Sequence, residues 1–182
     1  EWLRQDLALV PKDKLLIFCV HIPLAGILDN ANVQRVLALL GEFENCHIMS
    51  GHTHYNRNFR HANGIYEHIH GAASGGWWWS RNNGDGTPNG YAIYDIRGNK
   101  IVDWRYKSVG FDINHQMRLY RGDAEFGGKY ESLKLPFGSN VLLANVWNAD
   151  KDWRIEVYED GVLSGEMTLM EPSPYRGDEY PS

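Results

Sequence analysis

Leu15-Leu16-Ile17-Phe18-Cys19-Val20-His21 and, further along, Cys46-His47-Ile48-Met49-Ser50-Gly51-His52-Thr53-His54 frame the part of the chain that decides its fold. Leu15–Val20 is a short, unbroken apolar run of the kind found in a buried parallel strand. Asp29 or Asn30 can cap a helix on which Val33, Val36, Leu37 and Leu40 recur at helical spacing before Gly41. Cys46–Ser50 then reads as a second short strand running into Gly51. The order strand, helix, strand implies parallel strands, a right-handed crossover and both carboxyl ends on one edge. Open α/β sheets hold their ligands at that edge.

His21 follows the first strand; His52 and His54 follow the second. With neighbouring strands about 4.8 Å apart, all three imidazoles are expected together. In an extended segment His52 and His54 would point the same way, their α-carbons about 6.6 Å apart. They could then serve one metal ion, or each of two ions about 3.5–4 Å apart. Gly51 would let the backbone turn or come close to the ions, and Pro23 keeps the chain extended after His21. The spacing is neither that of a zinc finger nor that of a zincin. Two cations also need carboxylates, for which Asp29 and Glu67 are the candidates, Asp29 being better explained as a helix cap. Either the site is a single three-histidine ion or the carboxylates lie outside this chain.

The other histidines read more plainly. His68 and His70 repeat the two-residue spacing as one face of a half-exposed strand, His70 being open to a role behind the ligands or toward substrate. His47 reads as structural, and His61 and His115 as surface residues.

The chain has 182 residues, 43% apolar and 13% aromatic, enough for one large or two small domains. A formal charge of −5 without Lys/Arg runs gives no footprint for nucleic acid or anionic membranes. The longest apolar run is far short of the roughly 20 residues that span a bilayer. Its two cysteines, Cys19 and Cys46, cannot build a disulfide framework and read as buried free thiols. No signal peptide is visible, but Glu1 is not an initiator methionine.

Past the histidines the chain changes character. Gly64–Gly71, Tyr91–Ile96 and Lys100–Lys107 read as strands, with Asn82–Gly90 a loop whose composition suggests calcium but whose spacing supports turn chemistry instead. From about residue 109 a second all-β segment begins. Its strands are Gln116–Tyr120, Asn140–Trp147, Trp153–Glu159 and Val162–Leu169, with a turn at Asp160-Gly161. This spacing suggests a small sandwich. Trp77, Trp78 and Trp79 are consecutive, so one core cannot hold all three; a cleft wall or an interdomain contact is expected for at least one.

Val20-His21-Ile22-Pro23 followed by Ser50-Gly51-His52-Thr53-His54 resembles the last two metal-binding motifs of the calcineurin-like metallophosphoesterase superfamily. Gly71-Ala72-Ala73-Ser74-Gly75-Gly76-Trp77-Trp78 and Gly86-Thr87-Pro88-Asn89-Gly90-Tyr91 are similar to a secreted bacterial branch with an extra C-terminal β domain, and Leu143-Ala144-Asn145-Val146-Trp147 resembles part of that domain. The resemblance implies an α/β fold for residues 1–108, half of a four-layer αββα sandwich, followed by a small, incomplete all-β Ig-like sandwich over 109–182. It implies phosphoester hydrolysis at two divalent ions (manganese, zinc or iron), a bridging hydroxide attacking phosphorus. By the resemblance His21 and His52 would bind one ion and His54 the other; from their own place in the chain, Trp77 and Trp78 are candidates to face the substrate and His70 to support the ligands. The family's N-terminal motifs, which carry its carboxylates and catalytic histidine, are absent, so the N-terminal half of the catalytic domain is an expected partner and this segment alone is expected to be inactive. A periplasmic or secreted location is implied. The alternative is a non-catalytic secreted module binding glycan or protein through exposed tryptophans.

Overall fold

The structure, a computed structural model, describes residues 1–74, 81–127, 132–134 and 137–170. By contacts the chain divides into residues 1–148 and 149–182.

The first unit opens with helix α1 (Trp2–Ala8), which the sequence did not signal, and strand β1 (Leu15–Cys19). Helix α2 (Ala31–Leu40) starts at Asn30, whose side chain accepts a hydrogen bond from the Asn32 amide, so Asn30 rather than Asp29 is the cap. Gly41 closes it, as the spacing predicts. Strands β2 (Asn45–Ser50), β3 (Arg57–Arg60) and β4 (Tyr66–Ile69) complete a four-stranded sheet in the order β1-β2-β4-β3. β1 and β2 are parallel, as expected from a strand–helix–strand unit, and β2 and β4 are parallel as well.

The two faces of this sheet differ. Val33, Leu37 and Leu40 of α2 form one buried cluster with Cys46 and Ile48 of β2. The opposite face meets the hairpin of β5 (Gly90–Arg97) and β6 (Lys100–Ser108): Trp104 packs on Tyr66 and His68, and Tyr94 on His68. β4 therefore has neighbours on every side and is buried along its whole length. The half-exposed strand expected for His68 and His70 is corrected accordingly: His68 is 2% exposed.

β1 departs from the sequence reading in the other sense. It is an edge strand, and its outward residues Ile17 and Cys19 are exposed while Cys46 is buried. An unbroken apolar run does not distinguish an edge from a centre, because that depends on which strands come to lie beside it.

Further strands follow: β7 (Met117–Arg121), β8 (Glu125–Gly127), β9 (Ser132–Lys134) and β10 (Leu142–Val146), paired antiparallel as β7 with β10 and β8 with β9. The β7–β10 ladder groups with residues 1–148. Trp147 is buried, and its indole donates to the His115 carbonyl. His115 is half-buried and stacks on Phe111 at 4.5 Å, which corrects its reading as a surface residue.

In the second unit β11 (Glu156–Glu159) and β12 (Val162–Glu166) form a hairpin. Its turn is the expected Asp160-Gly161, with φ of 48° and 81°. Two successive positive φ values suit a two-residue turn that matches strand twist. Among the described residues the molecule is mostly sheet with few helices.

Candidate metal centre

The parallel ladder of β1 and β2 extends past both strands. The Val20 amide donates to Met49 at 3.0 Å, and the Gly51 amide donates to the His21 carbonyl at 3.1 Å. The main chain itself thus binds the start of one histidine loop to the start of the other. His21 Nε2 and His52 Nδ1 face each other at 3.0 Å, their rings edge-on with centroids 4.9 Å apart, on the exposed carboxyl edge. Convergence of these two rings is what the strand–helix–strand order predicts.

The third histidine does not follow the same geometry. The segment after Gly51 is not extended: His52 and His54 both have positive φ, 65° and 55°. The Thr53 amide donates back to the Gly51 carbonyl at 2.7 Å, closing a three-residue turn around His52. The same-side argument for His52 and His54 therefore fails, since it requires extended backbone. Among the described residues no group of three or more His, Cys, Asp or Glu side chains is placed to hold a metal ion. Gly51 is not the residue in the special conformation, and a Cβ there would meet only the His70 carbonyl, at 3.9 Å. A non-glycine residue at positive φ costs on the order of 1–3 kcal/mol, and such strain gathers at functional sites.

Behind the His21 loop lies Glu67, wholly buried. Its Oε1 accepts from the Leu24 amide at 2.9 Å and the Ser50 hydroxyl at 2.7 Å. Its Oε2 accepts from the Ala25 amide at 2.9 Å and pairs with His61 Nε2 at 2.8 Å. Burial pushes its pKa up, but the hydrogen bonds from His61, Ser50, Leu24 and Ala25 outweigh this and hold the carboxyl below its ordinary value. Both oxygens are therefore engaged on the core side of the sheet, which removes Glu67 from the candidate metal donors. His61 is only 4% exposed, and its reading as a surface residue is corrected.

Asp85 lies behind the His54 segment. Its carboxylate accepts from the Asn56 amide at 2.9 Å and from the Thr87 amide and hydroxyl at 3.1 and 2.9 Å. Burial is the largest influence on it and leaves its pKa raised despite these bonds. The Gly84 amide reaches the His54 carbonyl at 3.4 Å, and the Asn145 side chain donates to the Asp85 carbonyl at 2.8 Å. The loop expected over Asn82–Gly90 is thus built by turn chemistry, and β10 backs it.

His70 lies beside the end of β2. Its ring Nδ1 is 3.2 Å from the Ser50 carbonyl and its Nε2 is 2.7 Å from the Tyr94 hydroxyl. Burial lowers its pKa, with the Ser50 carbonyl acting in the opposite sense. Trp77 and Trp78 lie outside the described residues.

A family model described as the C terminal of calcineurin-like phosphoesterase matches residues 67–176, more than half of the chain. The chain belongs to this family. No curated protein matches it. The matched segment begins at Glu67, beyond all three candidate ligands, so the histidine motifs and the family match are independent observations. His21 Nε2 and His52 Nδ1 stand within hydrogen-bonding distance of each other, and imidazole nitrogen is a donor that divalent zinc takes, so by chemistry the pair suits part of a metal site.

Sequence reasoning missed His61 and Asp85 and misjudged Glu67. A signal for Glu67 was legible: it alternates with Ile65 and Ile69, which places it on their core-facing side. For Asp85 only the turn to Thr87 is local; its bond from Asn56 joins a separate segment and left no signal in the sequence.

Proposed function

We propose that this chain contributes His21, His52 and His54 to a two-metal centre that hydrolyses a phosphoester, with manganese, zinc or iron as the ions. The observation that carries this reading is the facing pair His21 Nε2 and His52 Nδ1, 3.0 Å apart on a sheet's carboxyl edge, in a member of the calcineurin-like phosphoesterase C-terminal family. When bound, the ions supply Lewis-acid stabilisation of the oxygens that gain charge during in-line displacement at phosphorus.

The chain's own residues position the ligands. His21 and His52 are presented by loops that the Gly51 amide joins. The left-handed backbone at His52 and His54 turns their rings away from a common extended face. Glu67 and Asp85 are occupied by backbone amides, so the acids that offset two dications belong to an N-terminal half of the catalytic domain. The exposed edge of β1 is a suitable place for its strands to join.

Residues 109–182 are read as a small Ig-like β domain, of which the part before residue 149 shapes the cleft, in a periplasmic or secreted protein of the branch the motifs resemble. Support for the shaping role comes from Asn145 and Trp147, whose groups bond Asp85 and Asn56 behind His54. Trp77 and Trp78 are proposed cleft-wall residues. Membership of the family favours the esterase over a glycan-binding module.

The test is manganese-supplemented hydrolysis of an aryl phosphodiester and an aryl phosphomonoester by the full natural polypeptide beside its His52→Ala variant. Turnover lost in the variant supports the proposal; equal turnover in both refutes it.

A further inference from the structure

We infer that Glu67 is a positioning residue that fixes the His21 loop and thereby the His21–His52 pair. The inference rests on the reading of those two histidines as metal ligands. Five residues, His21-Ile22-Pro23-Leu24-Ala25, carry the chain away from β1. Beyond His21, whose carbonyl still accepts from the Gly51 amide, this stretch leaves the ladder. Its backbone donors at Leu24 and Ala25 are satisfied by the two oxygens of Glu67, from a strand more than forty residues later.

The carboxylate does more than close those two donors. The Oε1 atom that holds Leu24 also holds the Ser50 hydroxyl, one residue before Gly51. Ser50 is in turn bound just past the end of β4: the His70 amide donates to its carbonyl at 2.8 Å. One buried anion therefore grips both segments that deliver imidazoles to the carboxyl edge, the His21 loop directly and the His52 loop through Ser50. His61 holds the remaining side of the carboxylate. Pro23 is buried and limits the backbone between His21 and Leu24, so a displacement of Leu24 is transmitted back toward His21.

The chemistry requires an anion of this shape. Two oxygens that accept only, each with two lone pairs, meet four convergent donors. Glutamine at this position offers one accepting oxygen, while its amide would present hydrogens to the Ala25 N–H or to the Leu24 N–H. The loop would then lose one of its two anchors although the side chain keeps its volume.

The experiment uses the full natural polypeptide and measures manganese binding calorimetrically, with the metal alone as probe. Thermal melting follows the fold in the same samples. Glu67→Gln is expected to weaken manganese binding about tenfold or more, the range typical of groups that orient metal ligands from behind. Leu40→Ala, a core truncation on α2 that removes no hydrogen bond to either histidine loop, is expected to lower the melting temperature with manganese affinity unchanged. Wild-type affinity in Glu67→Gln, with His21→Ala binding weakly, would overturn the positioning role alone. Wild-type affinity in His21→Ala and His52→Ala would instead overturn the ligand reading and the inference with it. A measurement without any variant guards against misfolding: the Leu24 and Ala25 amides should be strongly protected from hydrogen exchange, and rapid exchange of both would refute the anchor.

Discussion

His68 lies between Tyr94 and Trp104, and burial, with His47 and His70 nearby, pushes its pKa from 6.5 down to about 3. The same ring in the unfolded chain takes up a proton near pH 6.5, so across that interval unfolding binds a proton. Its contribution to stability is complete above pH 6.5 and is lost progressively as the pH falls toward about 3. Melting temperature in metal-free buffer should decline through this window, and His68→Phe should remove part of the slope. Glu67 acts in the same direction at lower pH: its folded carboxyl is held below the ordinary 4.5, so its contribution persists above that value and vanishes as acid protonates it. Replacing Glu67 by alanine leaves His61, Ser50, Leu24 and Ala25 without their acceptor, and denaturant titration should show a loss of about 3–5 kcal/mol. The core-facing position of Glu67 was legible from its alternation with Ile65 and Ile69. Its four partners were not, since three of them come from other elements of the fold.

Among the elements, α2 was read correctly from spacing and caps, because a helix is a local structure whose signals lie within its own residues. Most strands were found within a few residues, while β3 and the short β8–β9 pair were not signalled. The turn at His52 was missed for a related reason: positive φ at histidine has no sequence marker, unlike positive φ at glycine. The hairpin β5–β6 shows what a glycine can mean instead. A Cβ on Gly90 would lie 2.5 Å from the Lys107 carbonyl and 2.6 Å from the Tyr106 ring. Neither neighbour can move cheaply, as one is backbone and Tyr106 is buried with its hydroxyl bonded to the Pro88 carbonyl. Gly90→Ala should therefore destabilise the protein by about 1–3 kcal/mol, measurable by chemical denaturation. A Gly90→Ala protein as stable as the wild type would show that the hairpin approaches the 82–90 loop less closely.

For the whole molecule, the decisive expectation concerns what the 182 residues can do unaided. The described residues bring two histidines together and engage their nearby buried acids in holding loops. The isolated chain should therefore show no manganese-dependent turnover of an aryl phosphodiester under conditions where the full natural polypeptide does. Turnover by the isolated chain that disappears in His52→Ala would refute this. The sequence by itself determined the parallel strand–helix–strand unit, the meeting of His21 with His52 and the β-rich remainder, because periodicity, caps and crossover handedness are local or topological rules. It also carried the family resemblance, which the match over residues 67–176 supports independently of the histidines. Only the tertiary structure decided that β1 lies at an edge, that β4 is enclosed, that His61 is buried and that Glu67 and Asp85 hold loops rather than ions. Each of those depends on which distant segment fills the space beside a residue, and burial and hydrogen-bond partners across the fold leave no periodic trace in the chain.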